Sequence, residues 1–366
     1  TVLQCSYQQL EPAVAAMVHN GIMTAYSPHR GSAVTELTFS HDRLQQAALA
    51  LSDETDTREL HLAIASYYLT LGQQHHSAEL FALVGHLNEA GDAAIEAHSA
   101  LTITELNLQA AEQAKNSNAW QQALDYYQRA SQLCPASQPQ LAWSVGFGKA
   151  MALYQTQQYA QAMTACTDLQ QQSPDVLSQM QLARLQILIW FAEHQFAPAF
   201  TLASEVLAKA GVELLPLDEI AVRYQQLEQL YDPKQIKALQ RLPAIDSAEL
   251  QLALEILNVL LTVAYIVSPL QYMAVSHALL SLTIRRGNSS IAAKAYSTYA
   301  SILSGAYGQY RQALDFSDLA LAVNQQYQGH YLPELMFQRA GTILHWNAPL
   351  SDSLQLLEQN IYQAEA

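Results

Sequence analysis

Apolar residues recur at helical spacing along almost the whole chain from about residue 42 onward. Pro, Gly, Asn or Asp interrupts this pattern roughly every fifteen to twenty residues, which is the length of a helix with its turn. The alternation of apolar and polar residues that is typical of strands is nearly absent there. The pattern therefore predicts an all-α chain built from paired antiparallel helices.

One segment, "AWQQALDYYQRASQLCP", shows how such pairs would pack. Ala123, Tyr127, Ala130 and Pro135 stand at positions 20, 24, 27 and 32 of a 34-residue frame. The small residues let two helices approach closely, the ring fills the space between them, and Pro ends the helix. These are the positions of the second tetratricopeptide helix, so we expect the three side chains before Pro135 to lie between helices.

The same frame recurs later in the chain. Its anchors are Ala123, Ala162, Ala199, Ala274, Ala313 and Leu354, with Ala320 as a second packing position in the fifth unit. The anchors are 39, 37, 75, 39 and 41 residues apart, so the gap of 75 predicts one degenerate unit, "IAVRYQQLEQLYDPKQIKALQRLP". One helix pair cannot bury its own apolar face. Residues 51–366 are therefore predicted to form a tetratricopeptide-like α-solenoid of about seven helix pairs.

Residues 1–50 do not fit this period. "QLEPAVAAMVHNGIM" predicts a helix that stops at Asn20-Gly21, and "MTAYSPHRGSAVTELTF" predicts a β-hairpin whose loop contains Pro28, Arg30, Gly31 and Ser32. A second helix starts directly after the hairpin. This order of helix, hairpin and helix is the outline of the end of a winged-helix module.

The pair His41-Asp42 in "TFSHDRLQQAALAL" has two interpretations. Asp42 could cap the helix that follows, with His41 merely its neighbour. Alternatively, a His held at the start of a helix faces a place suited to anions, because the helix dipole and the free N–H groups point there. The residues alone favour the cap.

Composition narrows the possible functions. Half of the residues are hydrophobic and 13% are charged, which argues against disorder. The net charge of −15 leaves no basic stripe for nucleic acid. Cys5, Cys134 and Cys166 lie far apart in the sequence. This spacing fits buried thiols in a reducing cytosol better than a disulfide framework or a metal site.

The ends and the most apolar run of the chain also carry information. No basic segment with an apolar core marks a secretory signal, and the chain starts at Thr1 without an initiator Met. We therefore expect a cytoplasmic piece of a longer polypeptide. The run "LEILNVLLTVAYIVSPL" contains Glu255, Asn258 and Thr262, so we predict a buried helix rather than a membrane span.

Other candidate sites are weak. "VGFGKAM" lacks the spacing of a phosphate loop and falls in a predicted helix, where glycines serve close helix contacts. His75 and His76 with Glu79 lack a second pair of metal ligands. His345-Trp346 is better explained as a packed aromatic corner. We predict no catalytic and no metal site, with an enzyme acting through these histidines as a minor alternative.

Several blocks resemble one region of very large bacterial signalling proteins. They are "FSHDRLQQAALAL", "RELHLAIASYYL", "LFALVGHLNEAGD", "ELNLQAAEQAKNSNAWQQALDYYQRA", "LLSLTIRRGNSSIAAKAYSTYASIL" and "GTILHWNAPLSDSLQLLEQ". In those proteins a serine/threonine-kinase-like domain, a STAND-type AAA-related ATPase and a tetratricopeptide-like array precede a GAF domain. A sensor histidine kinase or a cyclase follows as the output.

"FSHD" is also similar to the "MHD" motif of STAND ATPases. The resemblance implies that His41 approaches the β-phosphate of ADP bound in the parent protein, with Asp42 as its structural partner. The ATP-binding elements are not in this chain, so no cofactor is expected here. The implied function is regulatory and non-catalytic: the array binds a protein, peptide or other effector and couples it to the ATPase and the output. The alternative is a constitutive scaffold for protein partners, and neither nucleic acid nor membrane is expected to bind.

Overall fold

A computed structural model describes residues 7–26, 36–51, 53–70 and 77–365. The chain forms two compact units, Thr1–Gln158 and Tyr159–Ala366, each described here by itself. The described residues are mostly helical and contain one two-stranded sheet, so the prediction of an all-α fold with a small hairpin is confirmed. The predicted boundary near residue 50 stays a prediction.

The first unit begins with helix, hairpin and helix. Helix α1 (Tyr7–His19) ends in a turn at Gly21, and strands β1 (Met23–Tyr26) and β2 (Glu36–Phe39) pair antiparallel, with Met23 opposite Phe39. Helix α2 spans Asp42–Leu51. The predicted hairpin loop, with Pro28, Arg30, Gly31 and Ser32, lies outside the described residues.

The helices that follow in the first unit pack against one another. They are α3 (Glu54–Thr70), α4 (Ser77–Ala90), α5 (Asp92–His98), α6 (Ala100–Asn116), α7 (Trp120–Leu133) and α8 (Pro139–Gln155). Helix α3 packs on α4, α6 on α7, and α7 on α8. Leu83, Leu87 and Ile103 lie in the core between α3 and α6.

The second unit continues the pairing around one large core. Its helices are α9 (Tyr159–Leu169), α10 (Val176–Ala192), α11 (Phe196–Lys209), α12 (Ile220–Gln225), α13 (Ala248–Val267), α14 (Pro269–Arg286), α15 (Ala292–Gly305), α16 (Tyr310–Gln326), α17 (Leu332–Gln338) and α18 (Leu350–Glu365). Helices α10 and α11, α13 and α14, α15 and α16, and α17 and α18 pack as consecutive pairs.

The turns that end three of these helices share one conformation. Asn118, Gln157 and His194, which follow α6, α8 and α10, all have φ near +60°. The next backbone N–H in each case bonds five residues back, for example Gln195 N to Trp190 O at 2.7 Å. This is the Schellman arrangement that ends many helices. The spacings of 39 and 37 residues repeat those of the alanine anchors.

The predicted degenerate unit does not form a regular helix pair. It contains the six-residue α12 and two 3₁₀ segments, Gln226–Leu230 and Ile236–Arg241. Pro233 and Pro243 stand within this stretch, and each removes an N–H that a longer helix would need. The degenerate unit predicted in the gap of 75 residues is thus an irregular segment and not a helix pair.

Asn288 fixes this irregular segment to the helices behind it. Its side-chain amide donates to Leu239 O at 2.9 Å, and its backbone N–H donates to Pro243 O at 2.8 Å. The hydroxyl of Tyr296 on α15 donates to Asn288 Oδ1 at 2.9 Å. Asn288 is fully buried, and its side chain joins the irregular segment to α15.

Among the described residues, one helix, α13, is long and apolar enough to cross a membrane by length and composition. Core helices meet the same criterion. Here Leu257, Leu260 and Ala264 are fully buried, and α13 packs against α10, α11 and α14. Its Glu255 also pairs with Arg184 at 3.0 Å. Within the second unit α13 is a core helix.

Candidate functional site

His41 lies where the hairpin ends and α2 begins. Its carbonyl accepts from the N–H of Leu44 at 2.9 Å, so His41 occupies the N-cap position. The preceding Ser40 is bonded to the turn after α1, with its hydroxyl 2.6 Å from Gly21 O and its N–H 2.9 Å from Ile22 O. The backbone of His41 is thus held on both sides while its side chain is exposed.

The interpretation of Asp42 as the helix cap was wrong. Asp42 is the first residue of α2, one position after the N-cap, and its side chain is exposed. A carboxylate in the first turn still stabilises the helix through its dipole, without closing a capping hydrogen bond. The nucleotide-sensing role of His41, with Asp42 beside it, stays a prediction.

The eight predicted packing residues are all buried. None exposes more than 4% of its surface: Ala123, Tyr127, Ala130, Ala162, Ala199, Ala274, Ala313 and Ala320. The sixth anchor, Leu354, was placed wrongly, because it is 55% exposed while the neighbouring Ser353 is buried. Serine is the small residue that a close helix contact requires, so the frame is shifted by one residue in α18.

"VGFGKAM" lies inside α8, as the sequence indicated. A Cβ atom added at Gly148 would overlap the ring of Tyr127 on α7. The Tyr127 hydroxyl donates to the carboxylate of Glu112, and burial is the main cause that raises the pKa of this phenol. Gly148 serves helix contact and not phosphate binding.

The remaining sequence candidates do not assemble into a site among the described residues. His75 and His76 lie outside them, and Glu79 is in α4. Trp346, next to His345, stacks on Tyr310 with ring centroids 4.8 Å apart. No cluster of three or more His, Cys, Asp or Glu in the described part could hold a metal ion.

The thiols that the structure describes are free. Burial raises the pKa of the Cys166 thiol to about 12, and it also raises the pKa of the half-buried Cys134 thiol. Both are therefore protonated and poorly nucleophilic at neutral pH. Cys5 lies outside the described residues.

A cavity in the second unit was missed by the sequence analysis. It has a volume of about 440 Å³ and lies between the segment after α11, the stretch Arg223–Leu230 and α14. His277, Ser281 and Arg285 line it from α14. Their spacing of four residues places them on one face of the helix. Arg223 and Arg286 add two more guanidinium groups to the lining.

The electrostatics of this cavity are dominated by its basic groups. Desolvation, followed by the charges of Arg285 and Arg223, lowers the pKa of His277 to about 4, so its imidazole is neutral at pH 7. Arg223 pairs with Glu219 at 3.3 Å, whereas Arg285 and Arg286 form no ion pair with any described residue. The Ser281 hydroxyl oxygen is buried and has no hydrogen-bond partner among the described atoms.

One sequence signal for the cavity was present in "SHALLSLTIRRG". The His-x₃-Ser-x₃-Arg-Arg spacing puts polar groups on one helix face, beside the packing face of Ala274 and Ala278. Arg223 and the segment after α11 are more than fifty residues earlier in the chain. Only the fold brings these groups together.

The comparisons with known proteins are sparse. No known protein family and no curated protein matches the chain. A solved structure that does match is a Signal Transduction ATPase with Numerous Domains (STAND) protein with a tetratricopeptide repeat sensor, from Pyrococcus horikoshii. The identity is 12%, the match covers 96% of this chain and 52% of that one, and the TM-score is 0.32. The chain thus spans about half the length of that protein, and a TM-score of this size carries no argument.

Proposed function

We propose that this chain is the regulatory, non-catalytic part of a larger cytoplasmic signalling protein. In this proposal a STAND-type ATPase that binds ATP or ADP precedes it, and an output domain, a histidine kinase or a cyclase, follows it. The helix pairs bind an effector or a protein partner. Binding favours one packing of the array against the ATPase, which shifts its nucleotide state.

The observation that carries the proposal is the position of His41. Its backbone is fixed at the N-cap of α2, and its side chain is exposed at the point where helix, hairpin and helix give way to helix pairs. An exposed imidazole beside a helix N-terminus is suited to contact an anion. The "FSHD" resemblance implies that this anion is the β-phosphate of a nucleotide held by the preceding domain.

The test compares ATP turnover by the longer protein with turnover by a version truncated after residue 51. A regulatory array should change turnover by roughly fivefold or more, the lower end of typical coupling energies. Equal nucleotide binding by the two versions is the control for a folded ATPase. Equal turnover with intact nucleotide binding would instead favour a constitutive scaffold for protein partners.

A further inference from the structure

The cavity beside α14 is lined by basic residues, although the chain as a whole is acidic. The protein has a net charge of −15, yet three of its arginines, Arg223, Arg285 and Arg286, line this one cavity together with a single carboxylate, Glu213, among the described lining residues. All three arginines are exposed, so their guanidinium groups are open to a ligand that enters from solvent. Such an arrangement is stabilised by an anion between the guanidinium groups, so its chemistry points to a negatively charged ligand.

His277 of α14 supplies a neutral polar group to the same cavity. It lies close enough to Arg223 and Arg285 for both charges to act on it. The Ser281 hydroxyl, one turn later on α14, is enclosed by protein atoms and takes no part. A neutral imidazole can still donate one hydrogen bond. Together these groups form a set of donors around one face of the cavity.

Phosphate fits these donors better than a carboxylate. Three guanidinium groups match the two negative charges and several acceptor oxygens of a phosphate monoester, whereas one carboxylate offers a single charge. The volume of about 440 Å³ lies in the usual range for small-molecule sites and exceeds what inorganic phosphate alone would need. Val212, Leu227 and Leu282 line the remaining space with apolar surface.

We propose that this cavity binds a small phosphorylated organic molecule, with its phosphate held by Arg223, Arg285 and the His277 imidazole. Arg286 adds charge at the same end, and the organic part packs against Leu227 and Leu282. The proposal that the cavity binds a ligand depends only on the geometry of the cavity. The proposal that this ligand is the effector rests on the regulatory function proposed above.

The experiment measures binding to the 366-residue chain by calorimetry at physiological salt. The probes are pyrophosphate, glucose 6-phosphate and ADP, which separate a bare phosphate group from a sugar phosphate and a nucleotide. We expect one organic phosphate to bind with a Kd below about 100 μM. Arg285→Gln and Arg223→Gln should each weaken this binding at least about tenfold, the size of a lost charge-assisted hydrogen bond.

The matched control is Arg311→Gln, which removes an exposed arginine of α16 outside the cavity and should leave Kd unchanged. The imidazole resonances of His277 give a second measurement, because a bound anion should raise the pKa of this group even in a variant with altered stability. Absence of binding by all three probes at about 5 mM would overturn the proposal. Equal weakening by Arg311→Gln and Arg285→Gln would also overturn it, since binding would then be non-specific.

The two proposals fail separately. If a phosphate ligand binds this cavity but leaves ATP turnover of the longer protein unchanged, the binding site stands and its effector role fails. If the truncated protein shows altered turnover while no probe binds, the regulatory function stands and the ligand assignment fails.

Discussion

The ring of Tyr127 on α7 occupies the space that a Cβ atom on residue 148 of α8 would need. Such an atom would lie well under 3.0 Å from the ring carbons, a distance that real Cβ atoms do not show. Tyr127 is fully buried and bonded to Glu112, so the ring is not free to move aside. Gly148 therefore sets how closely two helices of the first unit approach.

Gly148→Ala should destabilise the first unit in spite of the higher helix propensity of Ala. The added methyl group forces Tyr127 or α8 to shift, and overpacking of this kind typically costs about 1 to 3 kcal/mol. Thermal unfolding followed by circular dichroism measures the effect. The control is Gly85→Ala in α4, where the added Cβ meets nothing within 4 Å. Equal or higher stability of Gly148→Ala would contradict the contact.

Gln157→Gly should raise the stability of the chain slightly. Gln157 has φ of +61° at the turn after α8, and a left-handed conformation costs a non-glycine residue about 1 kcal/mol or more. Glycine removes that strain, so the melting temperature should rise slightly. Ser144→Gly, at an exposed position within α8, should lower it instead, because glycine weakens a helix interior. A decrease for both variants would show that Gln157 is not strained.

Asn288→Ala should strongly destabilise the second unit. The change leaves the Tyr296 hydroxyl without its acceptor, at a cost of about 1 to 3 kcal/mol, and it also removes the side-chain bond to Leu239 O. Chemical denaturation gives the free energy of unfolding. Gln325→Ala, an exposed position on α16, is the control and should be nearly neutral. If Asn288→Ala leaves the free energy of unfolding nearly unchanged, Asn288 does not hold the irregular segment in place.

The first unit should lose stability as the pH falls below about 6.5, because of the His61–His86 pair. The two Nδ1 atoms lie 2.7 Å apart, which allows one proton between them but not two. Desolvation and then the charge of His61 lower the pKa of His86, while Glu89 partly opposes them. The unfolded chain therefore binds a proton that the folded chain resists, and stability rises with pH through this range and is unaffected above it.

The measurement compares melting temperatures at about pH 7.5 and about pH 5.5. His61→Asn should lose less stability on acidification than the wild type, whereas His330→Asn, an exposed histidine of the second unit, should behave like the wild type. Because burial also lowers the pKa of His277, some acid sensitivity should remain in His61→Asn. An unchanged acid response of His61→Asn would exclude the pair as its source.

The helical pairing could be predicted from the sequence because its rule is local. A small residue, a ring and a second small residue on one helix, as in Ala123, Tyr127 and Ala130, specify a close contact whatever the partner helix is. The rule failed at Leu354, since the small residue that packs is its neighbour Ser353. It also could not anticipate that Gln157 and His194 would adopt the left-handed turn usually taken by Gly or Asn.

The cavity could not be predicted, because its groups are brought together only by the irregular segment after α11. The prolines of that segment show that no long helix forms, but they do not show where Arg223 will lie. His277, Ser281 and Arg285 share a helix face in the sequence, yet a polar face is usually a solvated one. Long-range packing against α14 decides the outcome.

The most direct test of the proposed regulatory function is the rate of ADP release from the longer protein proposed above. We predict that His41→Ala releases ADP roughly tenfold faster than the wild type, because the exposed imidazole no longer contacts the nucleotide. Arg43→Gln, an exposed residue of the same helix, controls for changes in α2. Equal release rates for wild type and His41→Ala would contradict the sensing role of His41 and the coupling that depends on it.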